Sequence, residues 1–481
     1  MFGLYVGNTS ACIAMLKDGE VQVLVNDVGE RVTSASVEIL DNERVVGVAA
    51  KAGPNNSGNV IIHSKMYLSH DRVIANGIEG YCPIVVEEGR YNYVIDVGTK
   101  KINVTPDEVV EEIFRYLYKI ANSTAHGNGD ANAILTVPYY FSQNAKEKFC
   151  DAAMSSGFNV LQVITDPAAA VMAYEPMNVE SLPKKFLVYR VGGSSMECSV
   201  GIVIGGMLQI LKSQYEPGIG GDALTAVIFD YLAQDVKMRM QFNPLENFRC
   251  RMKLYKLAEH SKHILSTNSS TTCCLETFYN GMDYSHTVTR SRIESLISPV
   301  LTQLTKPVLE MMEVLNMKAD DFDKVILCGG TLKIPKLQKY FRDTFPAAEI
   351  MNSISPDEVI AVGAAKQGNC PVEGPIVPHS LLHKEISRLG TSLFYKIKSS
   401  GTYDSLVNKD AVLPVTISKT ILLEQDENEL SSVVEIHTFD DKSSYDLVKE
   451  VVVPKAFGVG NAVLELSIDG DGALDCKICK C

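Results

Sequence analysis

Short apolar runs separated by tight turns predict two similar sets of β-hairpins in the first half of the chain. In the first set, the turn Gly7-Asn8-Thr9-Ser10 separates predicted strands at 2–6 and 11–16. In the second set, FLVYRVGGSSMECSVGIV, residues 186–203, forms two strands around the turn Gly192-Gly193-Ser194-Ser195. A third strand follows each hairpin, VQVLVN in the first set and MLQILKS in the second. Because such turns bring backbone N–H groups up to a phosphate, both are candidate phosphate loops.

Helical patterns follow each hairpin set and complete a repeated α/β unit. In the first half, the strands AILTVP and NVLQVI flank a helix at 142–156, and another helix begins at Asp166-Pro167. In the second half, the strand KVILCGG precedes a helix from Pro335, and Ser355-Pro356-Asp357 begins the helix EVIAVGAA. Asp166 and Asp357 each suit a helix start, so the roles of cap and of ligand are both open. The repeat predicts an α/β fold with two lobes, whose cleft carries a glycine turn on each wall.

The composition and the hydrophobic pattern of the sequence change near residue 368, and this change predicts a second domain. GNCPVEGPIVPHSLLHKE, residues 368–385, is rich in Pro and Gly and is typical of a linker. Short β-type runs then follow, among them TSLFYKI, SVVEIHTF and NAVLELSI. We therefore expect a two-lobed domain at 1–367, divided near 183/184, and a small all-β domain at 386–481 that ends without a helical segment.

The charge of the chain excludes several classes of partner. With 481 residues and a formal net charge of -13, the protein is not suited to direct binding of nucleic acid or of anionic membranes, which need clustered Lys and Arg. No apolar run is long enough for a membrane span, and the opening MFGLYVGNTSACIAMLKDG lacks the features of a signal peptide. These observations predict a cytosolic protein that reaches any polyanion through another protein.

The cysteines are scattered and suggest buried free thiols in a reducing compartment. There are 12 of them, several within apolar strand patterns. Cys476, Cys479 and Cys481 form the one cluster, and a single CxxC without a second pair is a weak zinc signal. An ordinary C-terminal strand is the favoured interpretation over metal or redox use.

Eleven spaced motifs resemble those of one family, the 70-kDa heat-shock chaperones of the DnaK type. In order they are GLYVGNTSACIA, IHSKMYL, ILTVPYYF, ITDPAAAVMAY, VYRVGGSSMECS, GIGGDAL, LAEHSKHILS, FYNGMDY, TRSRIESL, LCGGTLKIPKLQ and SPDEVIAVGAA. The resemblance covers nearly the whole chain. It implies an actin- and hexokinase-like nucleotide-binding domain followed by a β-sandwich of the peptide-binding type, here expected to be truncated and without its helical lid.

The resemblance assigns an adenosine clamp to one face of a helix. Glu259, Lys262 and Ser266 have the spacing i, i+3 and i+7, and His263 stands where the family stacks an arginine on the base. From the residues alone, this helix also suits a solvated basic surface. Gly329, Gly330 and Asp357 would close the pocket, and their presence favours the clamp.

The phosphate side follows from the same resemblance. Its expected donors are Thr9, Gly192, Gly193 and Ser195, with a further loop at Gly220 and Gly221. Lys65 matches the catalytic lysine that positions the attacking water, although from the residues alone it could equally be an ordinary surface lysine. Asp166 matches a third acid of the metal shell, where the family has glutamate.

The departures from the family lie at the catalytic centre. Tyr5 and Arg190 stand where the family has two metal-shell aspartates, Asn8 replaces a threonine and Ser194 a glycine. At about 4 Å and an effective dielectric of about 20, a unit-charge pair is worth about 4 kcal/mol, so a dication beside Arg190 would feel repulsion of about 8 kcal/mol. Arg190 could instead hold phosphate oxygens or pair with Asp166. We therefore expect ATP binding with little need for Mg²⁺ and little or no hydrolysis.

The catalytic centre has lost its metal-shell aspartates, and the β-domain is expected to be truncated. In both respects the chain resembles the ribosome-associated, Hsp70-like subunit that forms a stable complex with a zuotin-type J-protein. That resemblance implies help to nascent polypeptides, indirect ribosome contact through the basic partner, and weak binding of unfolded peptide. Three alternatives remain open at this point. They are an active ATP-hydrolysing chaperone, a nucleotide-exchange-factor-like relative, and a small-molecule kinase on the same fold, which the β-domain disfavours.

Overall fold

The computed structural model describes most of the chain up to residue 368 and the strands beyond it. The described residues are 1–41, 43–52, 58–68, 81–82, 84–87, 90–97, 100–124, 131–174, 184–204, 207–368, 392–397, 403–407, 415–423, 433–440, 444–453, 460–468 and 474–480. Its contacts divide the chain into two units, Met1–Val377 and Pro378–Cys481. The predicted linker, 368–385, lies almost entirely outside the described residues.

The first lobe is built on a six-stranded sheet with helices packed on it. Every residue of FGLYV is buried, which is typical of a strand covered on both faces. The elements of this lobe are β1 (Phe2–Val6), β2 (Ser10–Lys17), β3 (Glu20–Val23), β4 (Val32–Ser34), β5 (Val37–Ile39), β6 (Arg44–Val46), α1 (Val48–Ala52), β7 (Val60–Ile61), β8 (Ile84–Glu87), β9 (Arg90–Asp96), β10 (Lys101–Val104), α2 (Pro106–Thr124), β11 (Asn132–Val137), α3 (Gln143–Ser155), β12 (Asn159–Thr165) and α4 (Asp166–Tyr174).

The second lobe has a five-stranded sheet and longer helices. Its elements are β13 (Lys184–Val191), β14 (Ser195–Ile204), β15 (Met207–Pro217), α5 (Gly221–Met240), α6 (Phe248–Thr267), β16 (Ser270–Tyr279), β17 (Met282–Thr289), α7 (Arg290–Leu296), α8 (Ser298–Val314), β18 (Lys324–Cys328), α9 (Pro335–Thr344), β19 (Glu349–Met351) and α10 (Val359–Gln367).

The two main sheets share one topology, which confirms the predicted duplication. Their strand orders are β12-β11-β1-β2-β3 and β15-β14-β13-β18-β19. In each sheet the first strand pairs antiparallel with the second and parallel with a later strand, β11 or β18. Because the hairpin turns follow the equivalent strands β1 and β13, the same edge of each sheet presents a glycine turn.

The helices α4 and α10 pack closely against each other where the two halves of this unit meet. A Cβ added at Gly363 would clash with the carbonyl of Ala169 and with the backbone nitrogen of Ala173. A similar clash would arise between Gly3 and the backbone of α10. Glycine is therefore required at both positions by the close approach of two backbones.

The third predicted strand of the first hairpin set is shorter than expected. The sequence pattern places it at 21–26, whereas β3 ends at Val23. The side chain of Asn26 accepts hydrogen bonds from the backbone N–H groups of Val28 and Glu30. This local turn competes with the ladder and ends the strand early.

Within its described residues the second unit contains strands and no helix, as the sequence predicts. Its strands are β20 (Ser392–Ile397), β21 (Tyr403–Val407), β22 (Val415–Leu423), β23 (Val433–Asp440), β24 (Ser444–Val452), β25 (Gly460–Ile468) and β26 (Leu474–Lys480). They form two sheets, ordered β21-β20-β23-β24 and β22-β25-β26. Side chains from both sheets share one apolar core, including Leu393 and Ile436 from the first and Leu464 and Leu466 from the second.

The described cysteines form no disulfide, and most of them are buried. Cys476 is buried and Cys479 exposed, both on β26, and Cys481 lies outside the described residues. Among the described residues, no helix is long and apolar enough to cross a bilayer.

Candidate functional site

A cleft of about 400 Å³ lies between the two lobes and gathers most of the predicted site residues. All but three of the predicted residues line it: Thr9, Arg190, Gly192, Gly193, Ser195, Gly221, Glu259, Lys262, His263, Ser266, Gly329, Gly330 and Asp357. Lys65, Asp166 and Gly220 are the three that do not. Residues far apart in the chain therefore meet around one space.

The two glycine turns touch each other across the cleft. The side-chain amide of Asn8 donates to the hydroxyl of Ser194 at 2.9 Å and to that of Ser195 at 3.4 Å. A Cβ added at Gly193 would meet the side chain of Thr9, so the turns are also in van der Waals contact. Two of the sequence's departures from the family, Asn8 and Ser194, are thus bonding partners.

Several backbone groups of the predicted phosphate loops are used within the loops themselves. The N–H of Gly192 donates to the carbonyl of Ser195 at 2.9 Å, and the N–H of Gly221 donates to the carbonyl of Gly192 at 2.9 Å. The hydroxyl of Thr331 donates to that same carbonyl at 2.9 Å. These bonds fix the shape of the loops. Because the N–H groups of Gly192 and Gly221 already donate within the loops, they are not free to donate to a phosphate in this arrangement.

Gly220 does not line the cleft. It is the N-cap of α5 and approaches the carbonyls of the second glycine turn so closely that a Cβ there would clash with Gly193. Its φ of 179° is ordinary extended backbone, so the requirement for glycine is one of space. Gly220 therefore shapes the cleft from behind.

One face of α6 forms the wall assigned to adenosine. The ammonium of Lys262 donates to the carbonyl of Gly221 and to the hydroxyl of Thr225, both at 2.8 Å. Asp357 on the facing loop accepts from Lys333 at 2.6 Å and from Ser355 at 2.6 Å. These contacts hold the side chains of the wall in place from both ends of the pocket.

His263 lies on the same wall but is more open than its neighbours. Desolvation within the cleft, followed by the nearby charge of Lys262, lowers the pKa of His263 to about 4. The ring is therefore neutral at physiological pH. It can stack on a base as an aromatic ring, but it does not supply the cationic charge of the family's arginine.

Two side-chain contacts connect residues before α2 with residues of the second lobe. Lys51 contacts Glu259 at 2.7 Å, and His63 contacts Asp222 at 3.2 Å. Burial opposes the charged form of Glu259, but the ion pair with Lys51 keeps the pKa of this carboxyl below its ordinary value. Burial likewise opposes the charged form of Asp222, and the contact with His63 lowers the pKa. Lys51 and Asp222 also line the cleft, and sequence reasoning did not find them.

The base of the cleft is formed by Tyr5 and Arg190. The guanidinium Nη2 of Arg190 donates to Glu197 Oε2 at 3.2 Å, and its Nε lies 4.0 Å from Asp166 Oδ2. The pairing with Asp166 is one of the two roles that the sequence left open for this arginine. Glu197 was missed, although an acid within the apolar strand SMECSVGIV is a detectable signal.

Asp166 lies behind the arginine and does not line the cleft. Its side chain is buried, and both of its carboxylate oxygens lack a hydrogen-bond partner within the described structure. Arg190, and not Asp166, is therefore among the residues that line the cleft.

Lys65 does not line the cleft either. Its ammonium donates to the carbonyl of Val6 and lies 4.9 Å from the ring centre of Phe149 and 5.7 Å from that of Tyr5. Burial lowers the pKa of Lys65 to about 8. In this arrangement the ammonium of Lys65 contacts a backbone carbonyl and aromatic rings.

The base of the cleft does not fit a hydrated Mg²⁺. Carboxylates would have to face the cleft to bind its water shell, and Tyr5 and Arg190 occupy that surface. Burial raises the pKa of Tyr5 to about 12, so the phenol is neutral at physiological pH. The surface that faces the cleft here therefore consists of a guanidinium and a neutral phenol.

Comparison with known proteins gives one consistent result. The family description "Hsp70 protein" matches residues 1–448. The curated "Heat shock 70 kDa protein 14" of Homo sapiens is 34% identical, with 98% of this chain and 95% of that protein covered. The protein of the same description from Danio rerio is 36% identical over 83% of each chain, and that from Bos taurus is 39% identical over 76% of this chain and 72% of its own.

Proposed function

The chain belongs to the Hsp70 family, and from this premise we propose that it is an atypical co-chaperone that binds ATP with little or no hydrolysis. Together with a zuotin-type J-protein, it assists the folding of nascent polypeptides at the ribosome. It works in the cytosol, contacts the ribosome through its partner and binds unfolded polypeptide only weakly.

The observation that carries this proposal is the contrast between the two parts of the cleft. The adenosine wall retains Glu259, Lys262 and Ser266 around an open space. At the base, by contrast, Arg190 faces the cleft and Lys65 is hydrogen-bonded to Val6. Phosphoryl transfer depends on positioning and on stabilisation of charge, so a cleft with the first part intact and the second part replaced favours binding over turnover.

Charge supports the choice of partner. The formal net charge of -13 is unsuited to ribosomal RNA, whose binding is driven by release of counterions from phosphates by Lys and Arg. A basic J-protein would supply that contact and would also complement the acidic chain. In this proposal the J-protein binds the ribosome, and this chain binds the nucleotide.

Affinity purification of the tagged protein, followed by sucrose-gradient sedimentation, tests the proposal. We expect stable co-purification of a J-protein and co-sedimentation with 60S or 80S particles, which disappears when the J-protein is depleted. Co-sedimentation that persists without the J-protein would contradict the assignment of ribosome binding to the partner.

Turnover measurements separate this proposal from an active chaperone ATPase. The full-length protein would be assayed for steady-state ATP hydrolysis with and without an added J-domain. We expect hydrolysis at the background rate in both. A J-domain-stimulated rate would identify an active Hsp70 and exclude the non-hydrolysing role.

A further inference from the structure

Four buried ionisable side chains cluster at and beneath the base of the cleft. Arg190 is 6% exposed, Lys65 2%, Glu197 2% and Asp166 1%. Two of these groups are cations and two are anions, so their charges cancel. A buried centre that is already neutral has no need of an added metal ion to balance it.

The arginine in this centre is fixed from behind. Its Nη2 is bonded to Glu197 Oε2 at 3.2 Å, and Glu197 Oε1 accepts from the hydroxyl of Ser213 at 3.4 Å. Ser213 is joined to Ser199 at 2.8 Å on the neighbouring strand. Because strands β14 and β15 carry these partners, the guanidinium is held by the sheet itself.

The same guanidinium also reaches the glycine turn. A Cβ built at Gly192 would lie 3.8 Å from Nη1 of Arg190, and both residues line the cleft. One nitrogen of the fork is therefore bonded to a carboxylate while another lies beside the predicted phosphate loop. A planar fork of this kind is well suited to phosphate oxygens.

Resting on the proposed nucleotide binding, we propose that Arg190 is the permanent cation of this site and that the ligand is the nucleoside triphosphate free of metal. The uncomplexed triphosphate brings its full negative charge to the guanidinium. Its Mg²⁺ complex brings less negative charge and places a hydrated dication near a fixed positive group. The carboxylates of Asp166 and Glu197, which could have attracted that dication, lie behind the arginine.

Isothermal titration calorimetry on the full-length chain tests this inference. ATP is titrated in EDTA and, separately, in excess MgCl₂, with ionic strength matched by KCl. We expect binding about tenfold tighter in EDTA, equivalent to about 1.4 kcal/mol. Equal affinity in the two buffers, or tighter binding with Mg²⁺, overturns the inference and leaves nucleotide binding itself intact. Failure to bind in either buffer overturns both the inference and the proposed nucleotide function.

Substitutions test whether Arg190 causes the tighter binding of ATP in EDTA. Arg190→Gln leaves the centre with one net negative charge, and we expect the preference for EDTA to disappear. The matched control is Arg115→Gln, which removes a surface guanidinium that also contacts two carboxylates, those of Glu111 and Glu112. The control should keep the preference of the wild type, and an equal loss in both variants would refute the assignment.

A conservative variant keeps the test decisive if Arg190→Gln does not fold. Arg190→Lys retains the positive charge but not the planar fork, so we expect weaker binding of ATP in both buffers with the EDTA preference retained. Thermal melting establishes that the variant is folded. A folded Arg190→Lys protein that binds ATP better with Mg²⁺ would show that charge at this position does not select the ligand.

Discussion

The side-chain amide of Asn8 lies 2.9 Å from the hydroxyl of Ser194, although 186 residues separate the two in the chain. Each residue sits in a glycine turn of its own lobe, at equivalent places in the duplicated fold. The bond therefore joins the two loops, which are also in contact through Thr9 and Gly193.

This relationship predicts a measurable coupling between the two residues. A double-mutant cycle with Asn8→Ala and Ser194→Ala should give a coupling of about 1 kcal/mol in the free energy of unfolding, the usual scale of a partly buried hydrogen bond. Chemical denaturation of the wild type, both single variants and the double variant measures it. A cycle of Asn8→Ala with Thr272→Ala, a distant exposed residue, should give no coupling, and additive effects of Asn8 and Ser194 would disprove the link.

Restoring carboxylates at the base of the cleft should restore dependence on metal. In the variant carrying both Tyr5→Asp and Arg190→Asp, we expect ATP binding to require Mg²⁺ and the single-turnover hydrolysis rate to rise at least about tenfold, or about 1.4 kcal/mol in the barrier. Each single substitution should do less, because the two positions act on one metal ion.

The same experiment tests whether hydrolysis by the double variant requires Lys65. Adding Lys65→Ala to the double variant should abolish the gain, if the lysine turns from Val6 toward the cleft once Arg190 is removed. A wild-type protein that already hydrolyses ATP as fast as the double variant would show that Arg190 is no obstacle to catalysis.

Stability should depend on pH through the buried ammonium of Lys65. Burial lowers the pKa of Lys65 to about 8, whereas the unfolded chain keeps a pKa near 10.5. Between these values the unfolded state binds more protons, so the contribution of Lys65 to the free energy of unfolding rises with pH. From pH 7.5 to 9.5 the gain is about 2 kcal/mol.

The comparison that isolates this effect is the difference in unfolding free energy between Lys65→Met and the wild type. We expect the variant to lose about 2 kcal/mol relative to the wild type over that pH interval. Lys306→Met is the control, since Lys306 is exposed and its ion pair with Glu310 raises its pKa. A difference for Lys65→Met that stays constant with pH would mean that this lysine keeps an ordinary pKa.

Nucleotide affinity should respond to the side chain at position 263. His263→Arg would place a permanent cation on the adenosine wall, and we expect ATP to bind about fivefold tighter, on the scale of about 1 kcal/mol for a cation–π contact. Calorimetry measures the change. His260→Arg on the same helix, outside the cleft lining, should leave the affinity unchanged. Equal effects of the two substitutions would point to general electrostatics and away from base stacking.

The β-rich unit should bind extended peptides weakly. The expectation comes from the segment TSLFYKIKSSGTY, 391–403, which departs from the family's peptide-cradling loops and lies only partly within the described residues. Titration of a fluorescent hydrophobic heptapeptide into the full-length protein measures the affinity. A submicromolar dissociation constant would contradict this prediction.

Much of the fold follows from local signals in the sequence. The turns at Gly7 and Gly192 and the apolar strands beside them predict both hairpins, because glycine turns and buried strands are specified by nearby residues. The end of β3 was wrong by three residues because the side chain of Asn26 builds its own turn.

The site was less predictable, since its contacts join distant parts of the chain. The ion pair of Lys51 with Glu259 spans 208 residues, and no local pattern relates the two. The sequence singled out Lys65, but the direction of its ammonium depends on the packing of Phe141 and Phe149 around it. Side-chain direction at a buried position is set by the assembled core and not by the residue type.

The guanidinium of Arg190 is part of the polypeptide, and this has a consequence for how the site could be controlled. A bound metal ion can leave, so a site that depends on one responds to two concentrations, that of the nucleotide and that of the ion. A cation attached covalently to β13 is present at one per chain under all conditions. Occupancy of the cleft would then follow the concentration of uncomplexed nucleotide, which chelators raise and free Mg²⁺ lowers. Magnesium would therefore act on this protein through the nucleotide in solution and not through a metal ion held in the site.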